Sequence, residues 1–143
     1  MRAIVLICFV IAAVGLNSTF VSAQVPERAI CGVEQAVACP AHEECERTLP
    51  AAVNLPALIK IDRSAGVIFS KRESGETRTS KIASELEGDG LHILQGSEDG
   101  SPWSMRIDLE TGRFSLVSAQ DNLGFVAFGY CSSTLMTAGE GKQ

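Results

Sequence analysis

From residue 51 onward, apolar and polar residues alternate with a period of two. The clearest stretch is 102–109, where Trp103, Met105, Ile107 and Leu109 fall on one face and Ser104, Arg106 and Asp108 on the other. Successive side chains of a strand point to opposite sides, so this stretch predicts a strand with a buried and a wet face. Glu110, Thr111 and Gly112 follow, with Gly where a left-handed turn residue belongs. Phe114 and Leu116 then resume the buried face, which predicts a β-hairpin. The segment 124–131, GFVAFGYC, is apolar on both faces and predicts a strand covered on both sides.

Upstream, 57–62 and 66–70 predict two strands joined by a turn over 62–66, and 71–76 predicts a polar hairpin tip. A polar strand over 77–84 suits a sheet edge, and 91–95 predicts a strand between Gly-bearing turns at 85–90 and 96–101. Residues 29–39 predict a first strand, with a helical turn over 33–38 as the alternative. About eight short strands with almost no helix predict an all-β chain, a single small antiparallel β-meander closed as a barrel or packed as a sandwich.

The beginning of the chain follows another pattern. Met1-Arg2 carries one positive charge, and residues 3–16 run almost wholly apolar. A polar break at Asn17-Ser18-Thr19 leads to Val21-Ser22-Ala23, with small residues at the last and third-last positions. Those features predict a cleaved signal peptide over 1–23, and the apolar run falls short of the ~20 residues that a bilayer-spanning helix needs. The all-β domain is then 24–136, and 137–143 is a flexible tail without apolar anchors. The expected location is periplasmic or secreted, with the chain soluble after signal cleavage. The formal charge of −5 becomes one unit more negative when Arg2 is lost. An acid surplus of this kind argues against a nucleic-acid partner, whose phosphates require surplus Lys and Arg.

Export changes the meaning of the cysteines. Cys8 leaves with the signal, and Cys31, Cys39, Cys45 and Cys131 remain. An even number in an oxidising compartment predicts two disulfides. The short polar segment between Cys39 and Cys45 suits a small loop, which pairs Cys31 with Cys131. In a closed meander with an even strand count, the first strand lies beside the last, which brings those two cysteines together. The competing reading is a metal-binding carrier that uses Cys39, His42 and Cys45, but a structural zinc needs four ligands and no second pair is near.

Other chemistry is sparse. A Ser or Cys nucleophile needs a His base. His42 sits in the expected disulfide loop, and His92 alternates with Leu91 and Ile93 as an outward-facing residue. Acids gather at Glu85, Glu87 and Asp89, at Glu98-Asp99, and at Asp108 and Glu110, beside turns. They suit a small hydrolase working with turn carboxylates, or a calcium site, though none has the spacing of an EF-hand loop. Trp103 shares a face with Met105 and Ile107 and is expected in the core, whereas Tyr130 lies opposite Cys131 with its hydroxyl at a rim. Lys71, Arg72, Arg78 and Lys81, offset by Glu73 and Glu76, read as a solvated tip. The layout of export signal, Cys-bearing segment and β-meander ending in Gly-Tyr-Cys resembles small exported proteins of Gram-negative bacteria. The expectation is a non-catalytic exported domain that binds a protein partner or a small ligand, with no catalytic residue, cofactor or metal.

Overall fold

The computed structural model describes residues 27–71 and 75–132. The expected signal peptide and C-terminal tail lie outside the described residues. Nine strands run through the rest: β1 (Arg28–Pro40), β2 (Glu46–Thr48), β3 (Leu58–Asp62), β4 (Val67–Lys71), β5 (Thr77–Gly88), β6 (Leu91–Glu98), β7 (Ser101–Asp108), β8 (Arg113–Ala119) and β9 (Leu123–Ser132). A 3-10 turn, Pro50–Val53, separates β2 from β3.

From β3 to β9 each strand pairs antiparallel with the next, and β1 pairs with both β3 and β9. Eight strands thus close into a barrel, which settles barrel against sandwich. The ninth, β2, is the strand that the pattern did not predict. It is short and polar, and it pairs with the part of β1 that β3 does not reach. The helical alternative over 33–38 falls to ladder bonding, because β1 pairs with β9 along that stretch, interrupted only by a bulge between Val33 and Gln35.

The inward positions explain the closure. Ile59, Ile61, Ile68, Leu94, Met105, Ile107, Phe114, Leu116 and Phe125 supply large apolar side chains, whereas β1 contributes Ala29, Cys31, Ala36 and Ala38. Small residues on β1 and Ala127 on β9 let the seam fit against the larger ones opposite, since side chains fill the interior of an eight-stranded barrel. Both expected disulfides are present. Cys31 and Cys131 are direct partners across the β1–β9 seam, one hundred residues apart in sequence. Cys39 and Cys45 close a loop of separation 6 and deliver the chain into β2. Such bonds form and persist in an oxidising environment.

One expected edge is misplaced. β5 is a long strand held between β4 and β6, and it continues through Gly88, where a turn over 85–90 was expected. A bulge between Ile82 and Ser84 shifts its register. Before the bulge Ser80 and Ile82 face inward; after it Glu85 and Glu87 stand opposite the inward residues Leu94 and His92. One inserted residue exchanges the two faces of a strand, and periodicity read without pairing partners does not reveal it.

Two carboxylates hold turns at the same end of the barrel. Asp108 lies below the usual carboxylate range because it accepts from the Thr111 amide, the Thr111 hydroxyl and the Glu110 amide, with Arg106 adding attraction. Asp62 is lowered likewise by the Ser64 hydroxyl, the Ala65 amide and Arg28, whose Nε is 3.1 Å away. A carboxyl lowered in the folded state stabilises above its ordinary unfolded value, and that contribution is lost as pH falls through the lowered folded value. Melting followed by circular dichroism between roughly pH 5 and pH 2 should therefore show a falling midpoint, and Asp62→Asn/Asp108→Asn should flatten the fall. An unchanged slope in that variant would assign the acid sensitivity to other groups.

Candidate functional site

The two ends of the barrel differ. At one end, which we term the mouth, β3 starts late, at Leu58, and the Pro50–Val53 turn leads the chain back across the opening. A cavity of about 280 Å³ opens there. Its apolar wall includes Ile59, Ile68, Met105, Leu116 and Phe125, and Val53, Leu55 and Pro56 lie over it. Asn54 ends the 3-10 turn in the left-handed region, at φ 56°, and folds the strap back toward β3.

Trp103 occupies one side of this cavity. Its indole reaches from β7 across Gly96 on β6, and Nε1 donates to Ser80 Oγ on β5 at 2.7 Å. Gly96 is needed there: a Cβ would overlap the Trp103 ring at Cζ2 and lie 2.7 Å from Cε2, and would also overlap the Lys81 carbonyl oxygen. Ser80 Oγ donates in turn to the Ser97 carbonyl at 3.3 Å, and Ser118 Oγ donates to the Pro102 carbonyl at 3.0 Å. The buried hydroxyls are thus engaged by the wall itself, and the space they border has an apolar wall and a polar border of nearly equal share.

The rim is charged. Arg78 pairs with Glu98 through Nε and lies 3.8 Å from Asp99 through a terminal nitrogen. Arg78 was expected on a solvated tip; instead it is on the inward parity of β5 and its side chain is only 19% exposed. Glu98 and Asp99, expected in a solvated turn, flank the cavity entrance. Ser101, Gln120 and Ser70 complete the polar border.

The other end, the base, holds a compact ionic cluster. His92 was expected to face outward, but it is 2% exposed and shares the interior with Ile107 and Leu94. Local alternation misjudged it because its neighbours Leu91 and Ile93 lie on the half-covered outer wall. His92 Nε2 donates to Glu85 Oε1 at 2.7 Å, and Arg63 also pairs with Glu85 and lies 3.7 Å from Glu87. The bulge in β5 turns these carboxylates to the side of the strand that His92 faces, where they meet a cation and an imidazole at the solvent-facing base of the barrel, Glu85 being 31% and Glu87 45% exposed. Glu85→Ala deprives a buried donor of its acceptor and should lower stability by about 1–3 kcal/mol, with a smaller loss for Glu85→Gln, as read from urea midpoints. Equal midpoints for Glu85→Ala and the parent would show that His92 finds another acceptor.

The remaining expected residues separate. The sulfurs of Cys39 and Cys45 are bonded to each other, which removes the thiolates that the metal reading required, and His42 sits in the exposed loop between them with φ 68°. Trp103 packs against the core as expected while also lining the cavity. Tyr130 is 44% exposed, and its hydroxyl accepts from Arg113 Nε at 3.1 Å. The strand 124–131 was expected to be covered on both sides, but its outer face is open, with Phe128 43% exposed. Barrel closure covers only the inner face of each strand, and Phe128 and Tyr130 on the outer one stay exposed among the described residues.

These features define a small, disulfide-closed antiparallel barrel with one occupied and one open end. No family model, curated protein or solved structure matches this chain.

Proposed function

We propose that the protein is an exported, non-catalytic barrel that holds a small apolar or amphiphilic molecule in the mouth cavity. The observation that carries this reading is the amphipathic cavity of about 280 Å³, with one wall of Ile59, Ile68, Met105, Leu116, Phe125 and Trp103 and a polar border that includes Arg78, Glu98 and Asp99. A cavity of ~150 Å³ accommodates one benzene, so this one suits roughly eleven non-hydrogen atoms. Because Ser80 and Ser118 are already bonded within the wall, the apolar part of the ligand enters and its polar part stays at the rim with Arg78, Glu98 and Asp99.

The location in the periplasm or outside the cell rests on the N-terminal signal pattern and on two disulfides. Exposed Lys60, Lys81 and Arg106 on the outer wall suit water rather than lipid. The absence of catalysis in this reading rests on how the charged groups are engaged. Glu98 and Asp99 share Arg78 instead of facing each other across a cleft, and His92 is directed at Glu85 inside the base.

Trp103 is the only tryptophan and therefore an internal reporter of the cavity. The oxidised protein should be titrated with 1-octanol, octanoate and octylamine. At least one should produce a saturable, equimolar change in Trp103 emission and in titration calorimetry. Leu116→Phe, which fills the cavity, should weaken it about tenfold or more. Absence of saturable binding by all three, or equal affinity in Leu116→Phe, would refute the assignment.

A further inference from the structure

The outer wall of β8 and β9 carries a second surface, independent of the mouth cavity. Among the described residues, three of the six large apolar side chains that stand exposed, Val117, Phe128 and Tyr130, lie together there. Register places them in adjoining rows. Val117 stands beside Val126, and Val126 beside Val37 on β1; Ser115 stands beside Phe128, and Arg113 beside Tyr130. Gly32 is the β1 partner of Tyr130 and leaves that side of the ring uncovered. A groove of about 370 Å³ runs over this wall, bordered by Arg106, Arg113, Phe128 and Tyr130, with Glu34 on its far rim.

The charges say what the groove takes. The chain is acidic overall, at −5, yet two guanidinium groups border this apolar patch. Arg113 is held by an aromatic residue and not by an acid: Nε donates to Tyr130 Oη at 3.1 Å, and the guanidinium carbon lies 5.6 Å from the ring centroid. No carboxylate lies within ion-pair distance of Arg113 among the described residues. Arg106 reaches only Asp108, at 3.9 Å, and the other oxygen of that carboxylate already holds the β7–β8 turn. Tyr130 therefore fixes Arg113 while leaving its terminal nitrogens to a partner. A planar guanidinium held in this way suits a carboxylate, which accepts two parallel hydrogen bonds. Aromatic and Arg side chains are also the residue types that dominate binding energy at protein interfaces. Because the barrel is closed here, the backbone offers no free edge, and recognition must run through side chains. Glu34 on the rim repels a second negative charge, which limits the groove to one.

We propose that this face docks a protein partner through a segment that presents one carboxylate beside an apolar side chain, the carboxylate on Arg113 and Arg106 and the apolar group on Phe128 and Val117. The test uses the oxidised full chain and blocked tripeptides with glutamate, glutamine or lysine between leucine and phenylalanine, followed by amide chemical shifts. The glutamate peptide should move resonances confined to β8, β9 and the facing part of β1, and should bind roughly two- to fivefold tighter than the glutamine peptide. Added salt should shrink that preference. Arg113→Gln should erase it while leaving Trp103 emission and the melting midpoint unchanged, and Arg113→Lys should restore part of it. Three results would overturn the proposal: equal binding of the three peptides, shifts elsewhere on the barrel, or occupation of this face by a second copy of the chain in sedimentation.

Discussion

Replacement of Cys31 and Cys131 together by alanine is expected to lower the unfolding free energy by roughly 4–5 kcal/mol, the chain-entropy value for a loop of about one hundred residues. The two sulfurs join strands at opposite ends of the described chain, directly across the seam where the barrel closes. Without the bond, the first strand must find the last with no covalent restriction on the unfolded chain. Small domains hold only about 5–15 kcal/mol in all, so the loss takes a large share of the total. Cys39→Ala/Cys45→Ala opens a much shorter loop, of separation 6, and should lose only roughly 2 kcal/mol. Denaturant midpoints of the two double variants and the parent decide the matter. If the short-loop variant proves the less stable, the seam bond does not carry the closure.

The second large effect lies on the same seam. Gly129→Ala is expected to cost about 3 kcal/mol or more, at the upper end of overpacking penalties. A Cβ at position 129 would overlap the Gly32 carbonyl oxygen on β1 and come 2.8 Å from the Phe114 ring. The obstacle is backbone on the neighbouring strand, so a rotamer change cannot relieve it, and β1 and β9 must separate. Gly124, on the same strand, provides the control. Its added Cβ would come no closer than 3.9 Å to Cys39 O and 4.0 Å to Ser118 O. Gly124→Ala should therefore melt within a degree or so of the parent, because Ala is not inferior to Gly in a strand. A Gly129→Ala variant that melts with the parent would mean that the β1–β9 seam is wider than described. The two predictions meet at one place, since Gly129 precedes Cys131 by two residues on the inner face of β9. Their effects should be non-additive in a combined variant, because each loosens the same pair of strands.

Much of the barrel was legible from periodicity. Trp103, Met105 and Ile107 alternate with polar residues, and the structure puts Met105 and Ile107 in the core with Trp103 against it. Gly112 has φ 73° in the turn where a left-handed residue was expected. The pairing of Cys31 with Cys131 also followed, because an even number of antiparallel strands returns the last beside the first. What failed was assigned without pairing partners. His92 was read from apolar neighbours that belong to the outer wall, Arg78 from the polar composition around it, and Glu85 and Glu87 as turn residues, whereas the bulge in β5 sets those two on the side that His92 faces. Alternation tells which residues share a face, but not which face is inside, and a bulge exchanges the two.

The amino-acid order alone determined the class of structure: short amphipathic strands, turns that accept positive φ, and four cysteines that pair. These are local properties, written in spacings of one to a few residues. Only the closed sheet decided where the cavity opens, that the ionic cluster of Arg63, Glu85 and His92 fills the opposite end, and that Phe128 and Tyr130 stay open on the outer wall beside Arg113. Each of those depends on pairing between residues far apart in the chain. The physical reason is that a strand has two faces of equal standing until a neighbour and a curvature distinguish inside from outside.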